Sequence, residues 1–456
     1  MIDDTIAAIA TPLGEGGLAV IRLSGAHALA VADAVFQPLG NHSVKPSTAA
    51  SHTIQYGRIT RDGRTIDEVL VSVMRAPRTF TREDVVEITS HGGILPAKLV
   101  LDAVLGHGAR LATPGEFTRR AFLNGRIDLA QAEAVADLIH SRTGLALSAA
   151  TEQLAGKLSK RVNELRDELI ATLAHVEAHI DFPDEDIAPE TREQLGSRLE
   201  RGLVFMDGLL RTASEGRVLR RGVRAAIVGR PNAGKSSLLN ILLDADRAIV
   251  SPIPGTTRDT IEETANLRGI PVVFIDTAGL RETGDSVEVE GVRRSRETLD
   301  RAELILHVID ASEPLHDTDA TCLGWGGDGK RVIVRNKSDL PSRLEIPADT
   351  NVPVVSISCA DGRGIDGLKD TIKELFWSGQ AGGEMLEVMI NSRHQEALER
   401  ARKATAHTLE ALRADRTLEL VAMDLRIAVN AVGEIVGRTS TEDLLDSIFS
   451  QFCLGK

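Results

Sequence analysis

One stretch constrains this chain more than any other. "VRAAIVGRPNAGKSSLLNILL" (223–243) runs from an apolar β-type segment through a G-x-x-x-x-G-K-S loop into an apolar helix. That order fits a strand, a phosphate loop and a helix, a unit that belongs in a mostly parallel, buried sheet. Gly229 and Gly234 let backbone N–H groups turn inward around phosphates, and the helix start adds partial positive charge. Lys235 is placed to reach the β- and γ-phosphates, and the Ser236 hydroxyl to ligate Mg2+.

Three further pieces follow in order, each closing a β-type run. "DTAG" (276–279) ends "VVFI", so Asp276 is placed to hold the Mg2+ shell and the Gly279 N–H to meet the γ-phosphate. "NKSD" (336–339) ends "RVIVR". The Asp339 carboxylate can accept from guanine N1–H and the exocyclic amine, a donor pair that adenine lacks, while Asn336 and Lys337 brace and cover the base. "SISCADGRG" (356–364) brings Ser358, Cys359 and Ala360 to the base pocket. Each motif is weak alone; four in this order point to GTP and against ATP. In "GTTRD" (255–259), Thr257 is the candidate to complete the Mg2+ shell in the triphosphate state. No Gln follows "DTAG", so the group that activates water comes from elsewhere in the chain or from a partner. Arg258 is a candidate arginine finger and equally a surface arginine.

A chain of 456 residues is too long for one hydrophobic core. Residues 1–120 alternate β-type runs (17–25, 51–60, 68–77 and 84–93) with a helix at 95–108 and read as an α+β domain. Residues 121–215 are helical, with Leu129, Ala132, Val135, Leu138 and Ile139 on one stripe, interrupted by the acidic, proline-containing loop 181–190. Residues 216–380 return to a βα pattern, and helices resume over 381–456. The expected architecture is multidomain α/β plus α+β plus all-α: a Ras-like P-loop GTPase domain (216–380) inserted into a helical domain (121–215 and 381–456), preceded by an α+β domain (1–120).

Composition removes some classes. A net charge of -13 argues against broad nucleic-acid binding, and 3% aromatics leaves few stacking platforms. No apolar run spans a membrane, and the acidic N-terminal stretch lacks the basic region of a signal peptide. Cys322, Cys359 and Cys453 are far apart, without metal-ligand spacing, so a reducing, cytoplasmic setting is expected.

Longer motifs narrow the reading. They are "TPLGEGGLAVIRLSG" (11–25), "EDVVEITSHGG" (83–93), "PGEFTRRAFLNGRIDLAQAEAVADLI" (114–139), "DFPDEDI" (181–187) and the terminal "CLGK". With the inserted GTPase pattern, they make the chain resemble the tRNA modification GTPases of the MnmE (TrmE) type over essentially all its residues. "GEGG" precedes a strand rather than a helix, so it is not a dinucleotide turn.

The resemblance implies a GTP hydrolase, stimulated by K+ and forming a homodimer. It implies work with an FAD-containing partner of the MnmG or GidA type in a hetero-oligomer. Together the two install an aminomethyl-type or carboxymethylaminomethyl group at carbon 5 of the wobble uridine of certain tRNAs. The carbon donor is a tetrahydrofolate derivative, the 5-formyl or 5,10-methylene form. By the same resemblance, GTP would be held by Asn232, Ala233, Gly234, Lys235, Ser236, Ser237, Ser251, Thr256, Thr257, Asp276, Thr277, Ala278, Gly279, Asn336, Lys337, Asp339, Ser358, Cys359 and Ala360. Mg2+ would sit on Ser236 and Thr257, and K+ on Asn232, Ser251, Ile253 and Thr256. Lys235, Thr257 and Glu288 would be catalytic, with Glu288 orienting water in place of the missing Gln; without the resemblance, Glu288 reads equally as a helix cap.

The folate site would use Arg22, Glu87, Arg126 and Lys456. The arginines and Lys456 suit glutamate carboxylates, and Glu87 suits a pterin N–H and amine. The "CLGK" tail would then sit in the pocket of the first domain, after a helix capped at Ser440, with Cys453 either part of nearby chemistry or a buried thiol, the second reading favoured. Two departures stand out. "TFTREDV" carries Phe80 and Arg82 where family members often have Tyr and Gly, and "SCADG" lacks the Lys that stacks on guanine. The competing reading is a GTP-dependent switch or ribosome assembly factor, which needs no folate residues.

Overall fold

The structure, a computed structural model, describes residues 4–182, 192–246, 262–275, 301–317, 319, 329–346, 352–377, 389–439 and 441–456. The chain divides into two compact units. One comprises Met1–Ala136, Ser159–Arg166 and Asn430–Lys456, the other Asp137–Leu158 and Asp167–Val429.

The first unit is built on seven strands: β1 (Ile6–Ile9), β2 (Leu18–Ser24), β3 (Phe36–Pro38), β4 (Thr53–Arg61), β5 (Arg64–Met74), β6 (Val85–His91) and β7 (Arg110–Leu111). They lie in the order β3-β4-β5-β6-β2-β1-β7, antiparallel except where β1 meets β7. The alternation in β2 and β6 decides which residues face where. Ala19, Ile21, Leu23, Val86 and Ile88 are buried, while Val20, Arg22, Glu87 and Thr89 are only half-buried on the opposite face. The helices Ala28–Val35 and Ile94–Leu105 contribute Val31, Ala32, Val100 and Val104 to the core on the buried face. β2, β4, β5 and β6 answer the four β-type runs of the sequence; β1, β3, β7 and the helix Ala28–Val35 were not anticipated.

A second core in this unit joins Phe122, Leu129 and Ala132 to Leu445, Ile448, Phe449 and Phe452. The helix Glu442–Phe449 is capped by the Thr441 side chain, which accepts from the Leu444 N–H. This corrects the expected cap at Ser440, which lies outside the described residues: the acidic first turn, Glu442 and Asp443, starts one residue later. Beside it, the buried Glu116 accepts from Arg110 at 2.8 Å and from Arg120 at 3.1 Å.

The second unit contains six strands: β8 (Val223–Val228), β9 (Glu263–Leu267), β10 (Ile270–Phe274), β11 (Leu304–Asp310), β12 (Lys330–Asn336) and β13 (Val354–Ser356). Their order is β13-β12-β11-β8-β10-β9, parallel except for the β9–β10 hairpin. Strands this uniformly apolar are covered on both faces. One core gathers Val223, Ala225, Leu306, Val308, Val332 and Val334 with Leu238 and Leu242 of the helix Lys235–Asp246 and Leu368 and Ile372 of the helix Ile365–Phe376. In the same unit the helices Arg192–Arg211 and Ser392–Arg413 are linked by ion pairs from Arg402 to Asp207 and from Arg413 to Glu200. Among the described residues no helix is long and apolar enough to cross a membrane.

Candidate functional site

The parallel sheet sets the position of the nucleotide loops. β8, β11 and β12 run side by side, so the segments leaving their C-terminal ends emerge on one edge, where open α/β sheets place ligands. The phosphate loop leaves β8 and enters the helix Lys235–Asp246. Asn232 takes a left-handed backbone, φ 63°, and Gly234 has φ 95°. A Cβ on Gly234 would lie 2.1 Å from Asn336 Nδ2, so only glycine lets the loop approach that side chain.

Asn336, the last residue of β12, is almost wholly buried and serves two loops. Its Nδ2 donates to the Ala233 carbonyl at 2.8 Å, and its Oδ1 accepts from the Cys359 N–H at 3.1 Å. Lys337 donates to Asp310 Oδ2 at 2.6 Å. Burial raises the Asp310 pKa, but the Lys337 and Ser312 hydrogen bonds outweigh it and hold the carboxyl below its usual value. Ser358 is fully buried; its N–H donates to the Arg363 carbonyl at 2.9 Å, and its hydroxyl oxygen accepts from the N–H groups of Ala360 and Asp361. That tight turn presents Cys359, half-buried, and Ala360, exposed. Asp339 is exposed on the neighbouring turn.

Lys235 is half-buried and its ammonium donates to the Arg230 carbonyl at 2.8 Å. Burial lowers its pKa, opposed by the charge of Asp319. Ser236 and Ser237 are exposed in the first helical turn, where a hydroxyl is the hard oxygen donor that Mg2+ takes. Asn232 is exposed at the rim and offers an amide oxygen. Ser251, Ile253, Thr256, Thr257, Arg258, Asp276, Thr277, Ala278, Gly279 and Glu288 lie outside the described residues. So does Cys322.

In the first unit the antiparallel register sets Arg22 directly opposite Glu87. Arg22 Nε donates to Glu87 Oε1 at 2.8 Å, and Nη1 donates to the Gly455 carbonyl at 3.2 Å. The guanidinium stands 5.7 Å from the centre of the Phe117 ring. Gly455 has φ 89°, and a Cβ there would lie 2.6 Å from the Ile9 carbonyl. Lys456 follows it, half-buried. A cation, a carboxylate and a backbone carbonyl thus converge on the half-buried face, a set that fits a ligand carrying both carboxylates and ring N–H groups. Arg126 is exposed on the turn after the helix Glu116–Leu123 and makes none of these bonds. Arg82 has φ 59° and donates to the Asn124 carbonyl at 2.9 Å. Cys453 is exposed, which corrects the buried-thiol reading: Phe452 fills the core position, and the next residue turns outward.

Sequence reasoning missed Arg230, within the phosphate loop, and Asp310, Glu313 and Asp319 beside it. Asp310 closes a β-type run as the recognised motifs do, and that signal was available.

Two family models match. The one described as the MnmE helical domain covers residues 129–453, and the one described as the GTP-binding protein TrmE N-terminus covers residues 5–126. The tRNA modification GTPase MnmE of Geobacillus thermodenitrificans is 49% identical over 460 residues, 99% of each chain. That of Geobacter metallireducens is 48% identical over 461 residues, 100% of each chain. Among solved structures, the G domain of the T. maritima FeoB iron transporter is 26% identical over 33% of this chain and 97% of that one, with a TM-score of 0.25.

Proposed function

This chain belongs to the MnmE family of tRNA modification GTPases and is a GTP hydrolase; from that premise we propose that it hydrolyses GTP in a K+-dependent manner while modifying carbon 5 of the wobble uridine of certain tRNAs. In this reading it acts in the cytoplasm as a homodimer, with an FAD-containing partner, and takes its one-carbon unit from a tetrahydrofolate derivative.

The observation that carries the GTP half is the Asn336 side chain. It hydrogen-bonds the phosphate loop and the 358–360 loop at once, so the groups that meet phosphate and those that meet the base are held as one unit. Asp339 reads guanine, and Ser358, Cys359 and Ala360 line its pocket. Lys235 places its charge on the β- and γ-phosphates, where negative charge develops. Ser236 and Thr257 would hold Mg2+, with Asp276 supporting its shell, and Asn232, Ser251, Ile253 and Thr256 would hold K+. By the same reading, Thr277, Ala278 and Gly279 would meet the γ-phosphate, and Glu288 would orient the attacking water. K+, when bound, would supply the charge stabilisation that other GTPases draw from an arginine finger.

The folate half is supported by the meeting of Arg22, Glu87 and the Gly455 carbonyl. There Arg22, Arg126 and Lys456 pair with carboxylates, and Glu87 accepts from ring N–H groups.

The test is GTP turnover by the full chain in KCl and in NaCl at equal ionic strength, with Mg2+ present. Much faster turnover in K+ is expected. Equal, slow rates in both salts would overturn the cation assignment and turn the search to a protein partner that supplies the missing group.

A further inference from the structure

The end of β11 and the residues after it place three carboxylates, Asp310, Glu313 and Asp319, near cations of the nucleotide site. Asp310 accepts from Lys337. Glu313 Oε2 accepts from Arg230 Nη1 at 3.0 Å. Asp319 Oδ2 lies 3.9 Å from that same nitrogen, and its charge acts on Lys235. Asn232, Arg230, Lys337 and the three carboxylates line a cavity of about 150 Å³ beside the phosphate loop.

Arg230 is the second residue of the phosphate loop, and its two ends do different things. The guanidinium is held by the acidic loop, and the carbonyl receives the Lys235 ammonium at 2.8 Å. Pro231 follows and narrows the backbone conformations open to Arg230, which limits where its carbonyl can point. A chain of two polar contacts therefore runs from Glu313 through Arg230 to Lys235.

An exposed ion pair alone would carry little weight, and the Glu313 side chain is 54% exposed. Asp319 is different. It is 3% exposed, and burying a carboxylate is costly unless opposite charges are near. Burial pushes its carboxyl up, opposed by the charge of Arg230, whose Nη1 is 3.9 Å away, and by the charge of His316 and a hydrogen bond from the His316 backbone.

We propose that Glu313 and Asp319 are positioning residues for GTP hydrolysis: they hold the Arg230 guanidinium and, through the Arg230 carbonyl, set Lys235 where the phosphates arrive. Neither residue touches the reacting atoms. Losing the brace loosens the Lys235 contact with the phosphates in the ground state and at least as much in the transition state, so KM rises whether or not kcat also falls.

The experiment is steady-state GTP hydrolysis by full-length Glu313→Gln and Asp319→Asn, each against the unaltered chain. Glu313→Gln should raise KM about 5-fold, which is about 1 kcal/mol at 1.4 kcal/mol per tenfold, with Asp319→Asn raising it further. A variant that merely misfolds in part loses active enzyme, which lowers apparent kcat and leaves KM in place. Arg230→Gln should raise KM as well, and adding Glu313→Gln to it should change little more, because the two act along one path. A KM within about two-fold of the unaltered value in both single variants, with or without loss of kcat, overturns the proposal.

Discussion

Asn336 donates its side-chain amide to the carbonyl of Ala233, 103 residues earlier in the chain, and accepts the Cys359 N–H with its other end. One buried side chain thus fixes the spacing between the phosphate loop and the base-reading loops. Asn336→Ala leaves a carbonyl and an N–H without partners in a buried place. We expect a loss of about 2 to 3 kcal/mol in stability, read as a lower unfolding midpoint in urea, together with weaker GTP binding.

Asp339 is exposed and ready to accept two hydrogen bonds. Asp339→Asn replaces one acceptor with a donor that meets the guanine amine head-on. GTP affinity should fall by about 100-fold or more, while xanthosine triphosphate, which presents a carbonyl there, should bind better than to the unaltered chain. Fluorescence titration with the two nucleotides checks both halves; an unchanged preference would remove Asp339 from the base site.

Gly455 is the tightest point of the tail. Gly455→Ala puts a methyl group against the Ile9 carbonyl in a left-handed backbone, so residues 454–456 must shift and the Arg22 bond to the Gly455 carbonyl is lost. Binding of a tetrahydrofolate derivative, measured by calorimetry, should weaken about 10-fold, with GTP turnover of the isolated protein unchanged. Unchanged calorimetric affinity would separate the tail from the ligand.

Glu116 gives an acid limb to the stability profile. Burial raises its pKa, but the hydrogen bond from Arg110, with those from Thr113 and Arg120, brings it down from 4.5 to about 2. A carboxyl depressed in the folded state stabilises above pH 4.5, and that contribution is lost as the pH falls from 4.5 toward 2. The difference corresponds to about 3 kcal/mol. Glu116→Gln should lower stability at pH 7 and flatten the profile below pH 4.5; unfolding midpoints at a series of pH values report it.

The motifs that close strands were legible because each is local: a few residues and their neighbours settle both conformation and chemistry. Arg22 and Glu87 were singled out only through the resemblance; alone, Glu87 reads as a strand-surface acid, and that the two face each other follows from the pairing of β2 with β6. Glu313 and Asp319 were not legible. Their partner, Arg230, lies 83 residues before Glu313, and no local pattern marks a carboxylate that serves a distant arginine. The cap at Thr441 was misplaced by one residue because Ser440 and Thr441 are chemically equivalent caps, and only the helix start separates them. The exposure of Cys453 depends on Phe452 taking the core position.

Arg22 and Glu87 face each other because β2 and β6 pair in one register. A slip of one residue in either strand would turn its charged member into the core and an isoleucine, Ile21 or Ile88, out to water. The apolar face therefore acts as a proofreader: a misaligned sheet is rejected by its own interior before it can display a wrongly assembled pocket.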